Sequence, residues 1–284
     1  MNNKIILSAD STCDLGEDLK KKYDVSYYPF HIILDSEQYM DGVDITPDEI
    51  YRAYWDKRIL PKTAAIGVGE YIDYFKGWVE QGYDVIHINL GSALSSAHQN
   101  CCAAAAELGH VYPVDSCSLS TGLSLLIIEA AKRINDGLPA EVIQKDLCAL
   151  TSRINASFVL NTLEFLHAGG RCSTIAAMGA NFLKLKPCIE VSNNDGSMTV
   201  GKKYRGELDK VLVQYTRDKL SDLNNIDQEK IFLVHSGIDD KYIDLVSKEI
   251  NSIANFKDIY ISRASCTISS HCGPNTLGII FMNK

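Results

Sequence analysis

The chain has 284 residues, 46% apolar and 23% charged, a composition that supports a buried core and excludes disorder, collagen and a coiled coil. Its 28 Lys and Arg are outnumbered by 36 Asp and Glu, and a formal net charge of -8 is the wrong sign for gripping a nucleic-acid backbone. No apolar run is long enough to span a bilayer, and Asp10 interrupts the apolar start too early for a signal-peptide core. The expectation is therefore a cytoplasmic protein, without stable membrane insertion.

Residues 4–9 are a short apolar run that ends in Asp10-Ser11-Thr12, and residues 15–23 have helical spacing. Residues 25–34 are rich in β-branched and aromatic side chains, and Asp35-Ser36-Glu37 ahead of Gln38-Tyr39-Met40 predicts a hairpin. Thr46-Pro47-Asp48-Glu49 predicts a helix start, with Thr46 as N-cap, Pro47 in the first turn and Glu49 closing a capping box. That helix should run to about residue 57. Helices over 71–81, 94–108 and 119–135 alternate with strands over 83–90 and 111–115. Such alternation is the signature of a parallel sheet wrapped by helices. Three of these strands stop in polar clusters, at Asp10-Ser11-Thr12, Gly91-Ser92-Ala93-Leu94-Ser95-Ser96 and Asp115-Ser116-Cys117-Ser118. Ligands of open α/β sheets sit beyond the carboxyl ends of strands, where helix N-termini offer free N–H groups.

From Ala156 the pattern changes. A strand over 158–160, a short helix over 163–167 and a glycine-rich break at Ala168-Gly169-Gly170-Arg171 open a second lobe. Strands over 185–191 and 198–204 flank Asn193-Asn194-Asp195-Gly196, a strong hairpin signal. A helix over 207–220, a strand over 230–235, a helix over 239–253 and strands over 258–263 and 276–282 complete it. The fold class read from this order is α/β in two lobes, an N-terminal parallel-sheet α/β lobe over 1–155 and a C-terminal α+β lobe over 156–284.

The nine cysteines stand at 13, 101, 102, 117, 148, 172, 188, 266 and 272 with no Cys-x-x-Cys pair, so in a reducing compartment they read as small hydrophobes rather than metal ligands. Cys101 and Cys102 lie in an Ala-rich helical stretch, where adjacent residues point to different faces. Gly67-Val68-Gly69 lacks the third glycine and the preceding strand of a dinucleotide fingerprint. Neither a P-loop nor a Gly-x-Ser-x-Gly elbow is present. Two segments place hydroxyls where a small anionic head group could be held, Pro61-Lys62-Thr63 and Gly91 to Ser96, although Ser and Thr also cap helices whatever the function. His271-Cys272-Gly273-Pro274 precedes the last strand and reads either as a turn or as a site histidine.

Taken in order, Asp10-Ser11-Thr12-Cys13-Asp14-Leu15, Pro61-Lys62-Thr63, Leu94-Ser95-Ser96, Gly169-Gly170-Arg171, Lys186-Pro187, Arg205 and His271-Cys272-Gly273-Pro274 resemble the DegV family. These are bacterial fatty-acid-binding proteins that serve as acyl carriers for a separate fatty-acid kinase. The resemblance spans nearly the whole chain and implies a long-chain fatty acid buried between or within the two lobes, with its carboxylate near their boundary. It implies no metal and no cofactor beyond that ligand, and no catalytic residue of the chain's own. Position by position, it makes Thr63 and Ser95 the hydroxyl donors to the carboxylate and puts His271 near that head group. Arg171 and Arg205 are similar to basic positions by the entrance, where they would meet a kinase or a phosphate.

The chain departs from the family pattern at three places. Ala64-Ala65-Ile66 stand where Ser-Gln-Pro usually follows, Ser96-Ala97 where Gly-Thr follows, and Asn275 where a glycine closes Gly-Pro-Gly. A serine in place of the glycine after Ser95 requires a backbone there that avoids positive φ or tolerates strain. Two other classes remain open on the residues: a serine-dependent acyl-ester hydrolase with Ser95 as nucleophile and His271 as base, and a lipid-responsive interaction module.

Overall fold

The computed structural model describes residues 4–176 and 185–284. Its first part runs β1 (Ile5–Asp10), α1 (Glu17–Tyr23), β2 (Val25–Tyr28), β3 (His31–Leu34), β4 (Glu37–Met40), α2 (Pro47–Lys57), β5 (Lys62–Ala64), α3 (Val68–Glu80), β6 (Asp84–Asn89), α4 (Ala97–Leu108), β7 (Val111–Asp115), α5 (Thr121–Asn135) and α6 (Ala140–Leu150). Four strands pair in the order β2-β1-β6-β7, every pair parallel. Apolar strands joined through helices give this result, because a parallel neighbour can be reached only by a crossover that covers a sheet face. The hairpin β3–β4 pairs with β5 in a small antiparallel sheet beside it. Thr46 and Glu49 form the predicted capping box, and Pro47 opens α2.

The second part runs β8 (Ile154–Val159), α7 (Glu164–Gly169), α8 (Ser173–Ala176), β9 (Leu185–Val191), β10 (Met198–Arg205), α9 (Leu208–Lys219), β11 (Ile226–His235), α10 (Asp240–Ile253), β12 (Asp258–Arg263), α11 (Cys266–Cys272) and β13 (Leu277–Asn283). Its sheet is mixed, in the order β10-β9-β8-β13-β11-β12. The one parallel pair, β11 with β12, is bridged by α10. The division drawn at 155/156 falls inside β8, which begins at Ile154.

Four elements were not declared by the sequence pattern, the short α8 among them. Residues 140–150 form α6, the segment read as a turn before the last strand contains α11, and β5 is only three residues long. The helix expected from Leu94 starts at Ala97. A single apolar cluster joins the lobes: Leu7, Ile86 and Leu123 from the first sheet and its helices belong with Phe158, Phe232 and Ile280 of the second sheet. Continuous burial of this kind holds the two lobes as one body, because separating them would return that apolar surface to water. Among the described residues no helix is long and apolar enough to cross a membrane.

Candidate ligand-binding site

The small sheet puts Thr63 at the lobe boundary. Thr63 pairs with Ile32 in β3, and Asn100 on α4 donates its side-chain amide to the Ile66 carbonyl at 2.8 Å, which ties the segment after β5 to α4. The loop that ends at Ser96 is anchored from below. Asp10, fully buried at the end of β1, accepts from the Leu90 N–H at 2.9 Å, fixing where the chain leaves β6. Ser96 has φ -78 and ψ 1, so the serine in the family's glycine position needs no left-handed backbone. Asn275 does adopt φ +59, which asparagine tolerates better than other side chains.

The opposite wall is α11. Two aspartates of the first lobe clamp its first turn. Asp41 accepts from the backbone N–H groups of Cys266 at 2.7 Å and Thr267 at 3.1 Å, and from the Thr267 hydroxyl at 2.7 Å. Asp14 accepts from the Ser265 N–H at 2.8 Å and the Ser120 hydroxyl at 2.5 Å. Burial raises the Asp14 carboxyl to about 7, against the lowering effect of those two hydrogen bonds. The last turn of the clamped helix carries His271. Its Nε2 lies 2.9 Å from Thr63 Oγ1, while its buried Nδ1 has no partner among the described residues. Burial first, and then the Arg171 guanidinium, lowers the imidazole to about 4, so it is neutral at pH 7.

These walls enclose a cavity of about 280 Å³. Thr63, Ser95, Ser96, Arg171 and His271 line it together with Phe30, Leu90, Leu94, Leu119, Phe158, Leu166, Met198 and Ile268. A further void of about 20 Å³ shares Leu119, Phe158, Ile268 and Cys272 with it and continues toward Val234 and Ile280. Polar and apolar side chains share the lining, with Thr63 and His271 in direct contact, as in pockets that bury an amphiphile. Ser95 Oγ accepts from the Ala97 N–H at 3.2 Å, so its proton points elsewhere. Arg171 donates to the Gly169 carbonyl at 2.6 Å and to the Leu94 carbonyl at 3.4 Å, spanning the two lobes beside the cavity.

Four of the five sequence-predicted positions, Thr63, Ser95, His271 and Arg171, meet in this cavity. Arg205 does not. It lines a separate cleft with Lys186, Asn161 and Asn275, because it closes β10 at the far end of the strand from cavity-lining Met198. The histidine's hydrogen bond goes to Thr63 rather than to Ser95. Sequence reasoning placed Ser96 in a head-group segment without singling it out, and it missed Asp14 and Asp41 as clamps. Asp14 stood in a quoted motif, but nothing near Asp41 in sequence announces a partner 225 positions away. Among the described residues no group of three or more His, Cys, Asp or Glu could hold a metal ion.

A two-lobed α/β protein with a cavity at the lobe boundary, lined by apolar side chains and by hydroxyls, an imidazole and a guanidinium, is the class that fold and site define. Comparison with known proteins narrows it: the DegV family model matches residues 4–284, and the chain belongs to that family. A DegV domain-containing protein of Clostridium perfringens is 30% identical over 284 residues, covering 99% of each chain. A fatty-acid-binding DegV family protein from Thermus thermophilus superposes with a TM-score of 0.88 at 25% identity over 100% of both chains. A stearic-acid-binding protein from Eubacterium ventriosum gives 0.85 at 26% identity, covering 99% of this chain and 98% of that one.

Proposed function

We propose that the chain binds a long-chain fatty acid in this cavity and holds the carboxylate with the hydroxyls of Thr63 and Ser95. The observation that carries the reading is the cavity itself, lined by apolar side chains together with the hydroxyls of Thr63, Ser95 and Ser96 and a neutral histidine bonded to Thr63. An acyl chain of about sixteen carbons, at roughly 0.8 kcal/mol per buried methylene, supplies on the order of 10 kcal/mol of gross driving force before ordering costs. The head group contributes orientation more than affinity: a buried carboxylate without partners costs several kcal/mol, and each charge-assisted hydrogen bond returns only about 1.5–3 kcal/mol.

A tautomer with the proton on His271 Nε2 fits this role. Nε2–H then donates to Thr63 Oγ1, the threonine hydroxyl turns its own proton to the carboxylate, and the atom left without a partner, Nδ1, is a lone pair rather than an N–H. Ser96 adds a hydroxyl to the wall, offsetting the serine that Ala64 replaces. Arg171 supplies positive charge beside the head group.

The same reading makes the chain a cytoplasmic carrier with no bond-making chemistry of its own, presenting the carboxylate to a separate ATP-dependent fatty-acid kinase. Arg171, Arg205 and His271 would contact the phosphate or the partner, His271 and Arg171 by stabilising charge rather than as nucleophiles. The hydrolase alternative requires a base on Ser95, whereas His271 is engaged with Thr63. Native mass spectrometry of protein purified without added lipid tests the proposal. A co-purifying long-chain acid, strongly depleted in the Thr63→Ala, Ser95→Ala double variant, is the expected result. Equal lipid content in the variant refutes the role of the two hydroxyls, and turnover of an acyl ester abolished by Ser95→Ala favours the hydrolase.

A further inference from the structure

The exposed thiol of Cys102 and the half-buried imidazole of His98, both on α4, form a line with the buried amide of Asn89 at the end of β6. Cys102 Sγ lies 3.4 Å from His98 Nε2, one helical turn away, and His98 Nδ1 lies 3.1 Å from Asn89 Oδ1. Of the nine cysteines only Cys102 and Cys148 are exposed. Cys102 is the one with a base at hydrogen-bonding distance.

The protonation pattern along this line follows from its buried end. Asn89 Nδ2 faces Asp10 Oδ2 at 3.4 Å and the Tyr71 hydroxyl oxygen at 3.1 Å. Tyr71 itself donates to Asp10 Oδ1 at 2.7 Å, so both atoms that Asn89 meets there are acceptors. The amide must turn its NH₂ inward and its carbonyl oxygen toward His98. An acceptor opposite Nδ1 puts the imidazole proton on Nδ1 and leaves Nε2 as a lone pair directed at the Cys102 thiol. Burial lowers His98 below its ordinary value. The Cys102 thiol is raised, by burial and then by the Asp115 carboxylate. The resting state is thus a neutral S–H···N pair, the arrangement in which a general base takes the thiol proton as the sulfur attacks.

We propose that Cys102 is a modification site, a thiol served by His98 as general base and oriented through Asn89, that small uncharged hydroperoxides oxidise to the sulfenic acid. The sulfur attacks the terminal oxygen of ROOH, forming the S–O bond as the O–O bond breaks. Its own proton passes to His98 Nε2 and from there to the leaving RO⁻, giving Cys–SOH and ROH, with sulfur oxidised by two electrons and the peroxide reduced by two. An uncharged oxidant is specified because the neighbouring Asp115 carboxylate disfavours anions.

The test is hydrogen peroxide treatment of the intact protein, with dimedone trapping of sulfenic acid and peptide mass mapping of each cysteine. Cys148, exposed but with no base hydrogen-bonded to it among the described residues, is the internal reference, and the buried Cys13 and Cys101 report that each variant is folded by remaining unlabelled. Cys102 should be trapped at least about tenfold faster than Cys148, and His98→Gln should bring it down to the Cys148 rate. Equal rates for the two cysteines in the native protein, or a Cys102 rate unchanged in a folded His98→Gln, would overturn the assignment.

Discussion

The Cα of Gly169, at the end of α7, lies so close to the His271 ring that a β-carbon at 169 would stand 2.2 Å from Nδ1. The glycine is there for space: its φ is not among the positive ones, so alanine would meet no backbone penalty. Gly169→Ala must push the ring out of its seat, loosening the bond to Thr63. It should destabilise the protein by about 1–3 kcal/mol, as overpacking does. In a His271→Ala background the same change should cost far less. Urea melts of the four proteins give the coupling energy, and additivity within about 0.5 kcal/mol would mean that the contact is not felt.

Asp41 joins the lobes through α11. Asp41→Ala strips acceptors from the Cys266 and Thr267 N–H groups and from two hydroxyls, those of Thr267 and Ser11. Leaving these donors buried and unsatisfied should cost about 2–4 kcal/mol. Because α11 carries His271, bound-acid content should fall along with stability. A variant that melts normally would show that the apolar cluster alone seats the helix.

At Asn275 the left-handed backbone sets the rule. Asn275→Gly should be tolerated within about 0.5 kcal/mol, whereas Asn275→Ala should cost about 1 kcal/mol for forcing a β-carbon into φ +59. The difference between the two thermal midpoints is the measurement. Identical midpoints would show that the turn relaxes.

Buried titratable groups should make stability depend on pH between about 4 and 7, through terms of opposite sign. His271 and His235 are each lowered to about 4, both chiefly by burial. Below their unfolded value of about 6.5 the unfolded chain binds more protons than the native one, so stability is lost as pH falls from about 6.5 to 4. The slope is at most about 1.4 kcal/mol per pH unit for each histidine. Asp14 acts in the opposite sense. With its native carboxyl at about 7, the folded state holds the extra proton between pH 4 and 7, and stability is lost as pH rises through that window. Asp14→Asn should therefore gain on the parent protein between pH 5 and pH 8, read from denaturant midpoints at each pH. A constant difference would show that Asp14 keeps the same affinity for protons in both states.

Much of the fold was legible because its causes are local. The capping box at Thr46, the turn at 193–196 and the strand–helix alternation up to Asn135 each depend on residues within one turn or one strand of each other. The helix over Ala140–Leu150 went unread although Ala140, Ile143 and Leu147 are buried at helical spacing, because it follows directly on a long helix. In α11 the caps were present in Ser265 and Gly273. The run Cys-Thr-Ile-Ser-Ser between them has low helix propensity, so what makes it helical is the pair of aspartates brought from the other lobe.

Local chemistry along the chain therefore settled most of the strands and helices and which hydroxyls stand near their ends. Whether those hydroxyls share one space is a question of distance between residues such as Thr63 and His271, far apart in sequence, and only the packing of two lobes answers it. The cavity walls were hidden for a related reason. Leu94, Phe158, Met198 and Ile268 line the cavity and belong to the buried apolar cluster at once, and a residue that leaves water for a ligand has the same apolar character as one that leaves water for the core.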